Sequence, residues 1–299
     1  MNAALQSMLN RYNTETYEES YDALREVLQE IILNSLSKAG FFSEATFYGG
    51  TALRILYNLP RFSEDLDFSL LKVNPDFQIA PYESAIVDGL KSYGFEIDIQ
   101  MKEKSQKSAI ASAFIKGNTL EHLLNIGIPD DITSTIHRDQ NVKIKLEVDT
   151  EPPLNFQTES KTLLRPTPYR ISSMTKSCLF AGKMHALLCR SWVSRPKGRD
   201  WYDLVWYLSS DISIDLKHLE TRLKQSCKWI NESKQLSLPE KLKEKDVIDL
   251  LQDRIETVDF KKAKDDVRKF IKDKSELDIW DKDFFKEISN NIKFRTKFV

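Results

Sequence analysis

Apolar residues recur at helical spacing from Tyr17 to Lys38, where Tyr21, Leu24, Val27, Leu28, Ile31, Ile32, Ser35 and Leu36 share one face and Gly40 supplies a stop. Ala45 to Tyr48 reads as a short strand ending in Gly49-Gly50, and Thr51 to Tyr57 as a second helix that Pro60 punctuates. From Asp65 to Leu71 the period falls to two: Leu66, Phe68 and Leu70 point one way, and Ser63, Asp65, Asp67 and Ser69 the other. Pro81 to Tyr93 is an amphipathic helix closed by Gly94. Phe95 to Met101, Ser108 to Lys116 and Val142 to Thr150 read as strands. The last is the clearest, with Val142, Ile144, Leu146 and Val148 inward and Lys143, Lys145, Glu147 and Asp149 on the opposite face.

Glu151-Pro152-Pro153 breaks this pattern, and Pro166 and Pro168 follow. Beyond about Ser172 the spacing predicts helices only: Leu179 to Arg190, Trp201 to Leu208, Leu216 to Ile230 and Val247 to Ile255. The expected architecture is α+β, a mixed sheet with flanking helices over residues 1–165 and a helical domain over residues 166–299. The mixed-sign run Lys261 to Lys274 reads as a solvated helix surface.

Composition narrows the function. The 299 residues are 41% hydrophobic and 30% charged, the balance of a globular rather than a disordered chain. A formal net charge of −1 sets up no global field toward nucleic acid, so a polyanion partner needs a local basic patch. Cys178, Cys189 and Cys227 have no Cys-x-x-Cys spacing, which argues against a disulfide framework or a cysteine-rich zinc site and fits a reducing cytoplasm. The polar first seventeen residues are unlike a signal peptide, and no apolar run is long enough to span a bilayer, so a cytoplasmic protein without a membrane partner is expected.

The chemistry begins with Asp65 and Asp67. Carboxylates at i and i+2 of a strand emerge side by side and raise each other's proton affinity unless a cation lies between them. Mg²⁺ suits such a pair, because it takes a few carboxylates together with waters and phosphate oxygens. Asp-x-Asp alone is more often a solvated strand edge. Here it follows a strand, a Gly-Gly turn and a helix start, where Gly49 and Gly50 permit close backbone approach to a phosphate and Thr51 caps the helix or donates a hydroxyl. Glu147 or Asp149, both on the polar face of the Val142 strand, would complete a two-metal site. Lys183 and Arg190 lie about two helical turns apart and suit triphosphate oxygens or an acceptor strand's phosphates, with ordinary surface cations as the plain alternative. Asp200 and Asp203 read as a helix cap and the partner of a base. The histidines His122, His137, His185 and His218 have no ligand spacing and read as structural or surface residues.

Gly49-Gly50-Thr-Ala-Leu-Arg54 followed by Arg61-Phe-Ser63-Glu-Asp65-Leu-Asp67-Phe resembles the AbiEii/AbiGii toxin family, which includes the MenA-type nucleotidyltransferase toxins. Lys183 to Arg190, Gly198 to Leu204 and Ile144 to Asp149 are similar to its other signatures, in the right order over roughly half the chain. The resemblance implies a polymerase-β-like nucleotidyltransferase fold with a helical C-terminal domain, and a toxin encoded beside a separate antitoxin. It also implies transfer of NMP from an NTP to an RNA acceptor, in some members the 3′ end of tRNA. Carried over by position, Gly49 and Gly50 hold the triphosphate, Asp65 and Asp67 hold two Mg²⁺ ions (or Mn²⁺), Lys183 contacts the triphosphate, and Asp200 is a catalytic or organising acid. Arg54, Arg61, Ser63 and Arg190 support them. Glu147 matches the third acid better than Asp149, with the choice left open. Met184 replaces the usual leucine, an apolar exchange of similar volume. Two alternatives stand beside this reading: nucleotidylation of a protein hydroxyl, and a catalytically silent nucleotide-binding module.

Overall fold

The computed structural model describes residues 3–102, 108–134, 136–190, 197–226 and 239–295. The chain forms two compact units, one of Met1–Ala52, Glu64–Pro152 and Glu159–Ser173, the other of Leu53–Ser63, Pro153–Thr158 and Met174–Val299.

In the first unit, α1 (Ala3–Leu9) precedes α2 (Tyr17–Lys38), whose N-terminus is capped by the Thr16 side chain accepting from the Glu19 N–H. Then come β1 (Ala45–Tyr48), α3 (Gly49–Tyr57), which crosses into the second unit, β2 (Leu66–Leu70), α4 (Glu83–Lys91), β3 (Asp98–Lys102), β4 (Ile110–Asn118), α5 (Thr119–Asn125), α6 (Asp130–Thr133), β5 (Asn141–Asp149), β6 (Thr158–Leu163) and β7 (Tyr169–Met174). The strands form one mixed sheet in the order β3-β4-β5-β2-β1-β7-β6. The pairs β1–β2, β4–β5 and β3–β4 are antiparallel, and β2–β5 and β1–β7 are parallel. Phe47 and Phe68 from adjacent strands and Phe41 beside them form an aromatic core, with Phe41 edge-on to Phe68 at 4.9 Å.

β6 and β7 were not expected from the sequence, where they fall on the proposed boundary and at the start of the helical half. β6 alternates only between exposed and half-buried positions, so no hydrophobic stripe marks it, and β7 loses its alternation where Ser173 and Met174 are both buried.

The second unit is mainly helical, with α7 (Lys176–Cys189), α8 (Gly198–Ser209), β8 (Ile214–Asp215), α9 (Leu216–Ser226), α10 (Glu244–Thr257), α11 (Phe260–Val267), α12 (Lys282–Ser289) and β9 (Phe294–Arg295), the two short strands pairing in parallel. Trp201, Phe260 and Phe285 make its core, with ring centroids 4.7–5.1 Å apart. A Cβ on Gly198 would lie 1.8 Å from the Ala263 carbonyl, so only glycine lets α8 begin against α11. The end of the expected helix Leu216 to Ile230, Arg195 and Cys227 lie outside the described residues. Cys178 is free and buried. No helix among the described residues is long and apolar enough to cross a membrane.

Candidate functional site

The acids of the first unit are arranged by strand register. Asp67 on β2 stands opposite Tyr48 on β1 and opposite Glu147 on β5, and Glu147 stands opposite Ser112 on β4. Residues in register on neighbouring strands share a face about 4.8 Å apart, so Asp67 and Glu147 emerge side by side. Asp149 is one step along, opposite Ser69, and its Oδ1 accepts from the Glu151 N–H at 3.1 Å, a local turn contact. Register thus sets Glu147, rather than Asp149, opposite Asp67. Asp65 and Asp67 are half-buried, and β2 begins at Leu66, so Asp65 and Ser63 precede the strand.

Gly49 lies at the junction of β1 and α3 with φ +83°, and a Cβ there would meet Asp67 Oδ2 at 2.3 Å. The position excludes side chains twice over, by backbone conformation and by the approach of the carboxylate. Thr51 is buried, and its hydroxyl donates to the backbone carbonyl of Asp65, tying the first turn of α3 to the segment that carries the acids. From the other side, Gln29 of α2 donates to the Glu64 carbonyl at 3.1 Å. Gly50 is half-buried in the first turn of α3, where unpaired N–H groups and the helix dipole favour an anion.

Glu147 accepts from Ser112 at 3.4 Å and pairs with Lys145 at 2.5 Å. Among the described residues, no three His, Cys, Asp or Glu side chains gather closely enough to hold an ion. The pair Asp65 and Asp67 fits the donor chemistry of a divalent cation, whereas Glu147 would have to exchange Lys145 for it.

Arg54 donates to the carbonyls of Leu59 and Pro60 at 3.0 Å each and lies 4.5 Å over the Phe62 ring. It shapes the loop that leads toward Ser63, which is itself half-buried.

The second unit holds a cluster of charges. Lys183 Nζ on α7 lies 2.7 Å from both Asp200 and Asp203 on α8. Arg190, the residue that ends α7, reaches the other oxygen of Asp200 at 2.6 Å. Arg61 grips Asp203 with both Nε and Nη2, at 2.6 and 2.7 Å, with both side chains buried. Burial pulls the Asp200 carboxyl upward, but Lys183 and Arg190 outweigh it and hold it below its ordinary value. Asp200 is thus an ionised anchor for two cations rather than a helix cap. Asp203 pairs with a base as expected, but spacing alone could not name Arg61, which is 142 residues away. The signal available was an arginine and an aspartate each embedded in a recognised signature.

Of the histidines, His122 and His218 are buried, His185 is half-buried beside Ser226, and His137 is exposed.

Two solved structures from Helicobacter pylori overlay on the chain at 20% identity and a TM-score of 0.47. One is a candidate nucleotidyltransferase, with 89% of this chain and 92% of that one covered; the other is the protein JHP933, with 89% of each covered. No curated protein matches. The family model described as the nucleotidyl transferase AbiEii toxin of type IV toxin–antitoxin systems matches residues 31–287. Enzymes of this kind generally use divalent metals, take a nucleotide substrate and are made with an antitoxin partner. The chain belongs to the AbiEii nucleotidyltransferase toxin family and is an enzyme of nucleotidyl transfer.

Proposed function

We propose that this enzyme transfers NMP from an NTP to the 3′ end of an RNA, with tRNA as the acceptor, in a reaction dependent on Mg²⁺ held by Asp65, Asp67 and Glu147. The observation that supports the metal assignment is the register of Asp67 with Glu147 on adjacent parallel strands, beside a glycine that gives the Asp67 carboxylate room. Asp149 is the weaker candidate because its carboxylate serves a turn one step away. When bound, one or two such ions would relieve the repulsion between the carboxylates and stabilise charge on phosphate oxygens, and Mn²⁺ suits the same donors.

The chain's own groups supply the rest. Gly49 and Gly50 offer the backbone N–H groups of a helix start to the triphosphate. Thr51 and Arg54 support this segment and the loop after it through their backbone contacts, and Ser63 belongs to the same support. Lys183 and Arg190 are the cations proposed for phosphate oxygens, and Asp200 keeps both in place. The RNA acceptor and the separately encoded antitoxin follow from the family resemblance, and the cytoplasmic setting from the cysteine usage and polar first residues of the sequence. At a net charge of −1 the RNA would bind through a local basic surface, with affinity falling as salt rises.

The test is incubation of the protein with each α-³²P-labelled NTP, Mg²⁺ and total tRNA, beside Asp67→Ala and Lys183→Ala. Label on tRNA that disappears in both variants supports the proposal and identifies the base. Label on protein instead makes the acceptor a protein hydroxyl. NTP binding without label anywhere makes the chain a silent binding module.

A further inference from the structure

We propose that a pocket of the second unit is a docking site for an arginine side chain presented by a protein partner. The cavity is about 270 Å³. Its lining includes Tyr202 and Trp280, both buried with ring centroids 6.5 Å apart, and the half-buried Trp206 and Phe284. One carboxylate, Glu276, enters the lining and accepts the hydrogen bond of the Tyr202 hydroxyl.

This lining selects its occupant. The faces of the aromatic rings are electron-rich and attract a cation, and a carboxylate can only accept hydrogen bonds. A guanidinium suits both demands: it is flat enough to stack on rings, it presents a fork of donors to a carboxylate, and it is more weakly hydrated than an ammonium. A phosphate chain is disfavoured. Glu276, the one charged residue of the lining, is a carboxylate, which repels phosphate and attracts a cation.

The apolar surface extends past the cavity, since Pro60 and Ile279 line it while remaining exposed, Ile279 to 61%. A free small cation would leave that rim in water. A peptide with apolar residues beside its arginine would cover it, an arrangement common where one buried anchor carries most of the affinity. The inference stands independently of the proposed metal site and acceptor.

The experiment is a titration of the full chain, followed by tryptophan fluorescence, with the peptide acetyl-Gly-Leu-Arg-Leu-Gly-amide. The comparison peptide has citrulline in place of arginine, which keeps the shape and removes the charge. The expected result is saturable binding of the arginine peptide, weakened about tenfold by citrulline and by Glu276→Gln, and abolished in Trp206→Ala whose circular dichroism is unchanged. Equal binding of the two peptides overturns the proposal. So does failure to saturate below about 5 mM, or a short single-stranded RNA that binds more tightly than the peptide and is lost in Trp206→Ala.

Discussion

The two units use the same residue type in opposite ways. In the second, Asp200 and Asp203 are buried and enclosed by Lys183, Arg190 and Arg61, with ion-pair distances of 2.6–2.7 Å. In the first, Asp65 and Asp67 are half-buried where β2 begins, with Asp67 in register with Glu147 and against a glycine. A buried carboxylate compensated by fixed cations is an anchor, because removing either partner leaves an uncompensated charge in the interior. A half-buried carboxylate beside another suits an exchangeable cation. The difference teaches that an acid's role is read from what neutralises it, not from its presence in a motif.

That contrast can be broken by substitution. Asp67→Asn should lower nucleotidyl transfer by about 10⁴-fold, roughly 5.5 kcal/mol of transition-state stabilisation, with little change in the urea midpoint. A variant that retained activity would remove Asp67 from the site. Asp203→Ala should do the reverse and cost about 4 kcal/mol of stability by stranding the buried Arg61; a urea midpoint equal to that of the parent chain would show the pair to be inert.

Gly49→Ala combines both effects. The positive φ and the collision with Asp67 should cost about 1–3 kcal/mol and also displace the carboxylate, so transfer should fall further than stability explains. A smaller effect separates the two acids of β5: Glu147→Gln should reduce transfer by about 10–100-fold, while Asp149→Asn leaves it nearly unchanged, and equal losses would refute the register argument.

The gentlest test is acid. Burial, and after it the charge of Arg222, pushes His185 and His218 down to about 3, from 6.5 in an unfolded chain. As pH falls below 6.5 the unfolded chain therefore takes up protons first, and stability present above 6.5 is lost progressively toward pH 3. Asp200, also depressed, adds a loss in the same direction at the acid end of that range. Urea midpoints at pH 7.5 and 5 should show the decline, and a flat profile would contradict it.

What could be read from sequence was whatever depends on near neighbours along the chain. The helix from Tyr17 to Lys38, the strand Ala45–Tyr48 and the alternation of β5 appear because helices and strands impose periods of 3.6 and 2 on side chains that must reach a core. The Gly-Gly turn and the acid pair were legible for the same reason, with the family resemblance giving them a chemistry. β6 was not legible, since an edge strand with no buried face leaves no apolar period.

Only the tertiary structure set Glu147 rather than Asp149 opposite Asp67, because strand register depends on which strands meet, and β2 and β5 are some eighty residues apart in the chain. Likewise, only folding joined Arg61 to Asp203 and turned Asp200 from an apparent helix cap into the anchor of two cations. Local pattern determines the shape and facing of each element. Which charges neutralise one another is decided when distant elements close over them, since burial makes an unpaired charge too costly to keep.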